Sequence, residues 1–130
     1  MAKYVTDTHS LFWYFTRPKL LSEKARAAFA QVANDEATLV VPAIVLAELI
    51  YLMQNKPVGG DLETIIKELQ ENPAIELTDL TTARVLDLRK FATIPEMHDR
   101  LIAAEAVAQD ALLITRDDSI TKSNVARVVW

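Results

Sequence analysis

Five short runs of β-branched and apolar residues constrain this chain more than any other feature. They are "KYVT", "ATLVVP", "AIELTDL", "LLIT" and "ARVVW", and stretches with helical spacing separate them. Strands that are apolar on both faces need cover on both faces. Regular alternation with helices therefore indicates an α/β sandwich around a parallel sheet. In such sheets ligands bind beyond the carboxyl ends of the strands.

The intervening segments read as helices. A first turn or two over Ser10–Phe15 ends before Pro18. In "SEKARAAFAQVAND" Ser22 is a good N-cap, and Ala25, Ala28, Phe29 and Val32 share one face. Pro42 stands where "AIVLAELIYLMQN" begins, a helix apolar almost all round. Asp61–Glu71 is amphipathic through Leu62, Ile65, Ile66 and Leu69. Thr81–Ala92 reads as one further helix, and "MHDRLIAAEAVAQDA" as another with Asp99 near its start. "NKPVGGD" is the clearest loop.

Length and composition narrow the function. A chain of 130 residues, 51% hydrophobic and 25% charged, suits a single domain over 1–130 with one sizeable core. The absence of cysteine excludes disulfides, thiolate metal sites and a cysteine nucleophile. The only two glycines are the adjacent Gly59 and Gly60, so neither the dinucleotide fingerprint nor the P-loop is present. The N-terminal residues do not read as a signal peptide, and no apolar run reaches the ~20 residues of a membrane helix. The expectation is a soluble, cytoplasmic protein. A net charge of −4 argues against coating nucleic acid by charge alone. It leaves room for a nucleic-acid enzyme whose acids are neutralised by bound metal.

Four carboxylates are candidates. Asp7 follows the first strand, among large apolar residues; Asp117 follows the fourth, after Arg116. Both belong at the strands' carboxyl edge, although each alone also reads as an ordinary cap. Glu48 lies within an apolar helix that has almost no polar face, where an ionised glutamate needs a partner. A salt bridge would account for it, but a ligand or catalytic role is favoured. Asp99 in a first helical turn also complements the helix dipole.

The segments "VTDTHSLFWYF", "PAIVLAELI", "HDRLIAAEAVAQDALLITRDD" and "ARVVW" together resemble the PIN-domain family, and are most similar to VapC-type toxins of type II toxin–antitoxin systems. The resemblance covers essentially the whole chain. It implies a three-layer α/β/α sandwich with a central parallel sheet of about five strands, and a metal-dependent endoribonuclease with an acidic quartet. By position that quartet is Asp7, Glu48, Asp99 and Asp117, with Asp118 a neighbouring alternative to the last. Thr115 takes a supporting hydrogen-bond role.

The implied cofactor is Mg²⁺ or Mn²⁺, since hard divalent cations prefer oxygen ligands. Asp7 and Asp99 are expected as main ligands, with Glu48 and Asp117 acting through water or on a second ion. Phosphate contacts are expected from the group Arg17, Lys19, Arg100, Arg116 and Lys122, and orienting or packing roles from His9 and His98. The resemblance also implies an RNA substrate, a homodimer and a cognate antitoxin, for which Trp13 and Tyr14 are candidate contacts. Phe12 and Phe15 read as core, and Trp130 as a strand-end anchor. The alternative is a catalytically idle PIN-like module that binds RNA or protein.

Overall fold

The computed structural model describes residues 1–55 and 60–130. Its strands are β1 (Ala2–Thr6), β2 (Ala37–Pro42), β3 (Ile75–Thr78), β4 (Leu112–Ile114) and β5 (Val128–Val129). Its helices are α1 (Thr8–Thr16), α2 (Glu23–Ala33), α3 (Ala43–Asn55), α4 (Leu62–Glu71), α5 (Thr82–Leu86), α6 (Met97–Ala108) and α7 (Asp118–Ser123). Most of the "NKPVGGD" loop, residues 56–59, lies outside the described residues.

All five strands are parallel, in the order β3-β2-β1-β4-β5. The chain moves outward from β1 to β2 to β3, then returns across the sheet to β4 and continues to β5. Right-handed crossovers running in opposite directions lay helices on opposite faces. The expected α/β/α sandwich results. The order reverses between β1 and β4, and the open-sheet rule places a ligand site at that reversal.

The central strands are buried on both faces. Val5, Val40, Val41, Leu113 and Ile114 are inaccessible to solvent, and Phe29, Leu49, Leu69 and Ile102 from four helices pack over them. Ser22 caps α2 as its type requires, accepting from the Ala25 N–H at 3.1 Å. The four apolar residues read from the α2 pattern are all buried.

Two helices depart from expectation. Thr81–Ala92 is not one α-helix: α5 gives way to a tighter 3-10 segment over Asp87–Phe91. Residues three apart eclipse in that geometry, so Leu88 and Phe91 share a side, and Phe91 enters the core. A pair between Arg84 and Asp87 at 2.5 Å braces the junction. Helix α3 is not enclosed all round either. Val45 and Leu49 form its buried stripe, whereas Tyr51 is 71% exposed.

Candidate functional site

Register builds the centre of the site. Thr6 at the end of β1 pairs with Ile114 at the end of β4, and the Asp7 N–H donates to the Ile114 carbonyl at 3.2 Å. The next residue on each strand is therefore Asp7 on one side and Thr115 on the other. Asp7 leaves the strand extended and becomes the N-cap of α1, with Oδ1 accepting from the Ser10 N–H at 2.9 Å. Oδ2 accepts from the Thr115 hydroxyl at 2.5 Å. The same hydroxyl oxygen accepts the Asp117 N–H at 3.0 Å. One buried threonine thus joins the two strand-end aspartates.

Asp117 caps α7 in turn. Its Oδ1 accepts from the Ser119 hydroxyl at 2.5 Å and the Ile120 N–H at 3.0 Å. Burial pushes its pKa up, but these hydrogen bonds more than offset that and hold it below the usual carboxylate value. Asp118, exposed at the start of α7, lines the same cleft.

Glu48 sits one and a half turns into α3 and faces the cleft rather than the interior, its side chain 36% exposed. Oε1 accepts from the buried Thr8 hydroxyl at 2.7 Å, and Oε2 lies 3.8 Å from His98 Nδ1. The apolar surroundings read from sequence are real, but the helix has one open side, and Glu48 is on it. His98 Nδ1 is held more closely by Glu96 Oε1, at 2.7 Å. Glu96 is also the N-cap of α6, accepting from the Asp99 N–H at 2.9 Å.

Asp99 is where the electrostatics concentrate. Burial first, then the charges of Asp117, Glu96, Asp7 and Glu48, push its pKa up to about 7. Burial likewise raises Asp7, against the hydrogen bonds that lower it. These side chains line a cleft of about 580 Å³ with Thr8, His9, Ser10, Trp13, Ile102 and Arg116. The cleft thus gathers all four acids singled out from the sequence.

Of the five cations considered, Arg116 alone lines the cleft, its guanidinium 5.3 Å from the centre of the Trp13 ring. Arg100 is turned away, its Nε donating to the Ile94 carbonyl at 2.5 Å. Arg17, Lys19 and Lys122 are exposed and outside the lining. Tyr14 stacks on Phe29 with centroids 4.4 Å apart, and Trp130 meets Trp13 at 6.0 Å. Sequence reasoning missed Thr8 and Glu96. The hydroxyl next to Asp7 was a usable signal for the first, and the acid three residues before Asp99, at N-cap spacing, for the second.

The sequence profile of the PIN domain matches residues 4–125. The chain belongs to the PIN domain family. No curated protein sequence is significantly similar to this PIN domain. Among solved structures it resembles VapBC2 from Rickettsia felis bound to a DNA fragment from their promoter, with TM-score 0.71 and 19% identity over 97% of this chain and 96% of that one. DNA-bound VapBC from Salmonella typhimurium matches at TM-score 0.69 and 18% identity, over 98% and 97% of the two chains. VapBC-5 from Mycobacterium tuberculosis, of the VapBC family of toxin-antitoxin systems, matches at 0.62 and 16%, over 99% and 98%. At these identities the likeness is one of fold.

Proposed function

We propose that this PIN domain is a metal-dependent endoribonuclease and the toxin of a type II toxin–antitoxin pair. The observation that carries the reading is the cleft that gathers Asp7, Glu48, Asp99 and Asp117, where burial first and then the neighbouring carboxylates oppose the ionisation of Asp99. Such a cluster calls for a counter-charge, and its donors are all oxygens, which suit Mg²⁺ or Mn²⁺. Asp7 and Asp99 would hold the ion directly, with Glu48 and Asp117 reaching it through water or a second ion. When bound, the ion supplies a water of lowered pKa and stabilises charge on the phosphoryl group.

The chain's own groups prepare the rest. Thr115 and the Ser10 N–H fix the Asp7 carboxylate, while each of its oxygens retains a lone pair for a ligand. Thr8 fixes Glu48 through Oε1, and Oε2, 3.8 Å from His98 Nδ1, is left to accept the proton of the attacking water. Arg116 supplies the positive charge for a substrate phosphate. Products would carry 3′-hydroxyl and 5′-phosphate ends. The VapBC neighbours support a cognate antitoxin as partner, and a homodimer is the expected assembly.

One observation favours the idle binding module instead. Among the described residues no three His, Asp or Glu side chains stand close enough to form a ready-made cage. Mg²⁺ tolerates this because it keeps several waters. Calorimetric titration of Mn²⁺ into wild type and Asp7→Asn separates the readings, followed by RNA cleavage in Mg²⁺ or chelator. Wild-type binding that Asp7→Asn weakens, with cleavage that chelator stops, supports the nuclease. Neither binding nor cleavage by wild type supports the module. Asparagine caps a helix as well as aspartate, so Asp7→Asn should nearly abolish cleavage and stay folded.

A further inference from the structure

The acids define where a phosphodiester would be cut; the side of the cleft formed by α1 carries a different chemistry. His9 and Trp13 lie four residues apart on α1, hence on one helix face. Their ring centroids are 5.8 Å apart, and both line the cleft with Arg116. Asp7 caps this same helix, so the aromatic face starts within two residues of the acidic centre.

Trp13 is braced by a second indole and lines the cleft. Trp130 packs against it at 6.0 Å, and Arg116 lies over the ring at 5.3 Å. Arg116 is exposed and makes no ion pair among the described residues, despite the acids nearby. A guanidinium over an indole at an exposed site is a weak contact, and a nucleobase stacked on the same ring is a stronger one. The structure therefore holds a flat apolar seat, covered by a cation that binding can redirect to a phosphate.

We propose that Trp13 is the stacking seat for an unpaired nucleobase next to the scissile phosphodiester, and that Arg116 turns from the ring to that nucleotide's phosphate. His9 borders the seat on the cleft side. A base locked in a duplex cannot present its face to Trp13, so the device selects single-stranded segments. It is indifferent to base identity, because every base has a π-face. This inference rests on the nuclease reading for the location of the scissile bond, but not for the stacking itself.

Trp13 and Trp130 are the only tryptophans, which makes a direct test available. In Trp130→Phe the emission comes from Trp13 alone, and in Trp13→Phe from Trp130 alone. Each protein is mixed with a short single-stranded RNA in Mg²⁺ by stopped flow, and emission is read before turnover. The expected result is quenching in Trp130→Phe by the single strand, with none from the matching duplex or an abasic strand of equal charge. Trp13→Phe should still bind the strand by anisotropy, without quenching. In cleavage assays Trp13→Ala should raise KM by about 10-fold or more with kcat little changed, and Trp13→Phe should largely restore KM.

Equal quenching by abasic and base-bearing strands overturns the stacking seat, as does binding without any quenching. Unchanged KM in Trp13→Ala overturns it while leaving the nuclease reading intact. Conversely, base-dependent quenching in a protein that cuts no RNA supports the seat and sinks the nuclease reading. Loss of anisotropy binding in Arg116→Gln at low salt is the expected signature of the phosphate contact. Retention of full affinity overturns that part.

Discussion

The Thr115 hydroxyl donates to Asp7 Oδ2 at 2.5 Å across 108 positions of sequence, and its oxygen accepts the Asp117 N–H at 3.0 Å. A single side chain thereby sets the separation of the first and last acids. Its position follows from parallel register, since β1 and β4 end side by side.

Thr115→Val keeps the shape and removes both bonds. A buried polar atom left without its partner costs about 1–3 kcal/mol; Asp7 Oδ2 loses its donor while Oδ1 keeps the Ser10 N–H, and we expect a stability loss of that order in urea denaturation. Metal affinity should fall as well, because Asp7 loses one of the two donors that orient it. Unchanged Mn²⁺ affinity in the folded variant would show that Thr115 serves packing alone.

Thr8→Val tests the corresponding tether on Glu48. Partners of metal-binding carboxylates are worth about 10–100-fold in affinity or activity when removed. Cleavage should fall within that range, and adding His98→Ala should deepen the loss, since His98 faces the other oxygen of the same carboxylate. Single-turnover rates for the two single variants and the double variant would measure the coupling.

Asp99 makes a pH prediction. Its pKa rises from 3.8 unfolded to about 7 folded. Between roughly pH 4 and 7 the folded state therefore holds a proton that the unfolded state has lost, and the stability contributed by this group declines across that window. Metal binding must expel the proton. Calorimetry at pH 6.5 in buffers of different ionisation enthalpy should show proton release, and at pH 8.5 almost none. The thermal stabilisation given by Mg²⁺ should be greater at pH 8 than at pH 5.5.

The buried Glu105 gives a control away from the cleft. It accepts from Gln109 at 3.0 Å and lies 3.7 Å from Arg84 Nε. Arg84→Ala leaves this carboxylate without its cation and leaves Asp87 with Lys90 alone, at 3.4 Å. We expect a destabilisation of about 1–3 kcal/mol and no change in Mn²⁺ affinity, read from urea melts and calorimetry on one preparation.

Particular residues show what was legible in the sequence. The central strands announced themselves because they are apolar on both faces, as Val5, Val40 and Leu113 are. From strand order along the chain, Asp7 and Asp117 could be assigned to one edge. The break after Leu86 could not be read, because a 3-10 turn and an α-helix share their apolar spacing over so few residues. Arg100 is expected among the phosphate contacts because its segment lies near the edge, but adjacent residues on a helix point in different directions, and Arg100 donates to backbone carbonyls instead. Glu48 was noticed for its apolar setting; its hold on Thr8 depends on how α1 and α3 pack, which no local pattern encodes.

The sheet order also sets when the cleft can exist. Strand β1 leaves the ribosome first yet ends in the middle of the sheet, between β2 and β4. Until β4 docks, Asp7 has no Thr115 beside it, and Asp117 is not yet held at the sheet edge. A nascent chain holding β1, β2 and β3 carries two of the four acids with one wall of the cleft missing. The assembled site therefore cannot form before the segment that carries β4 and Asp117 has joined the sheet.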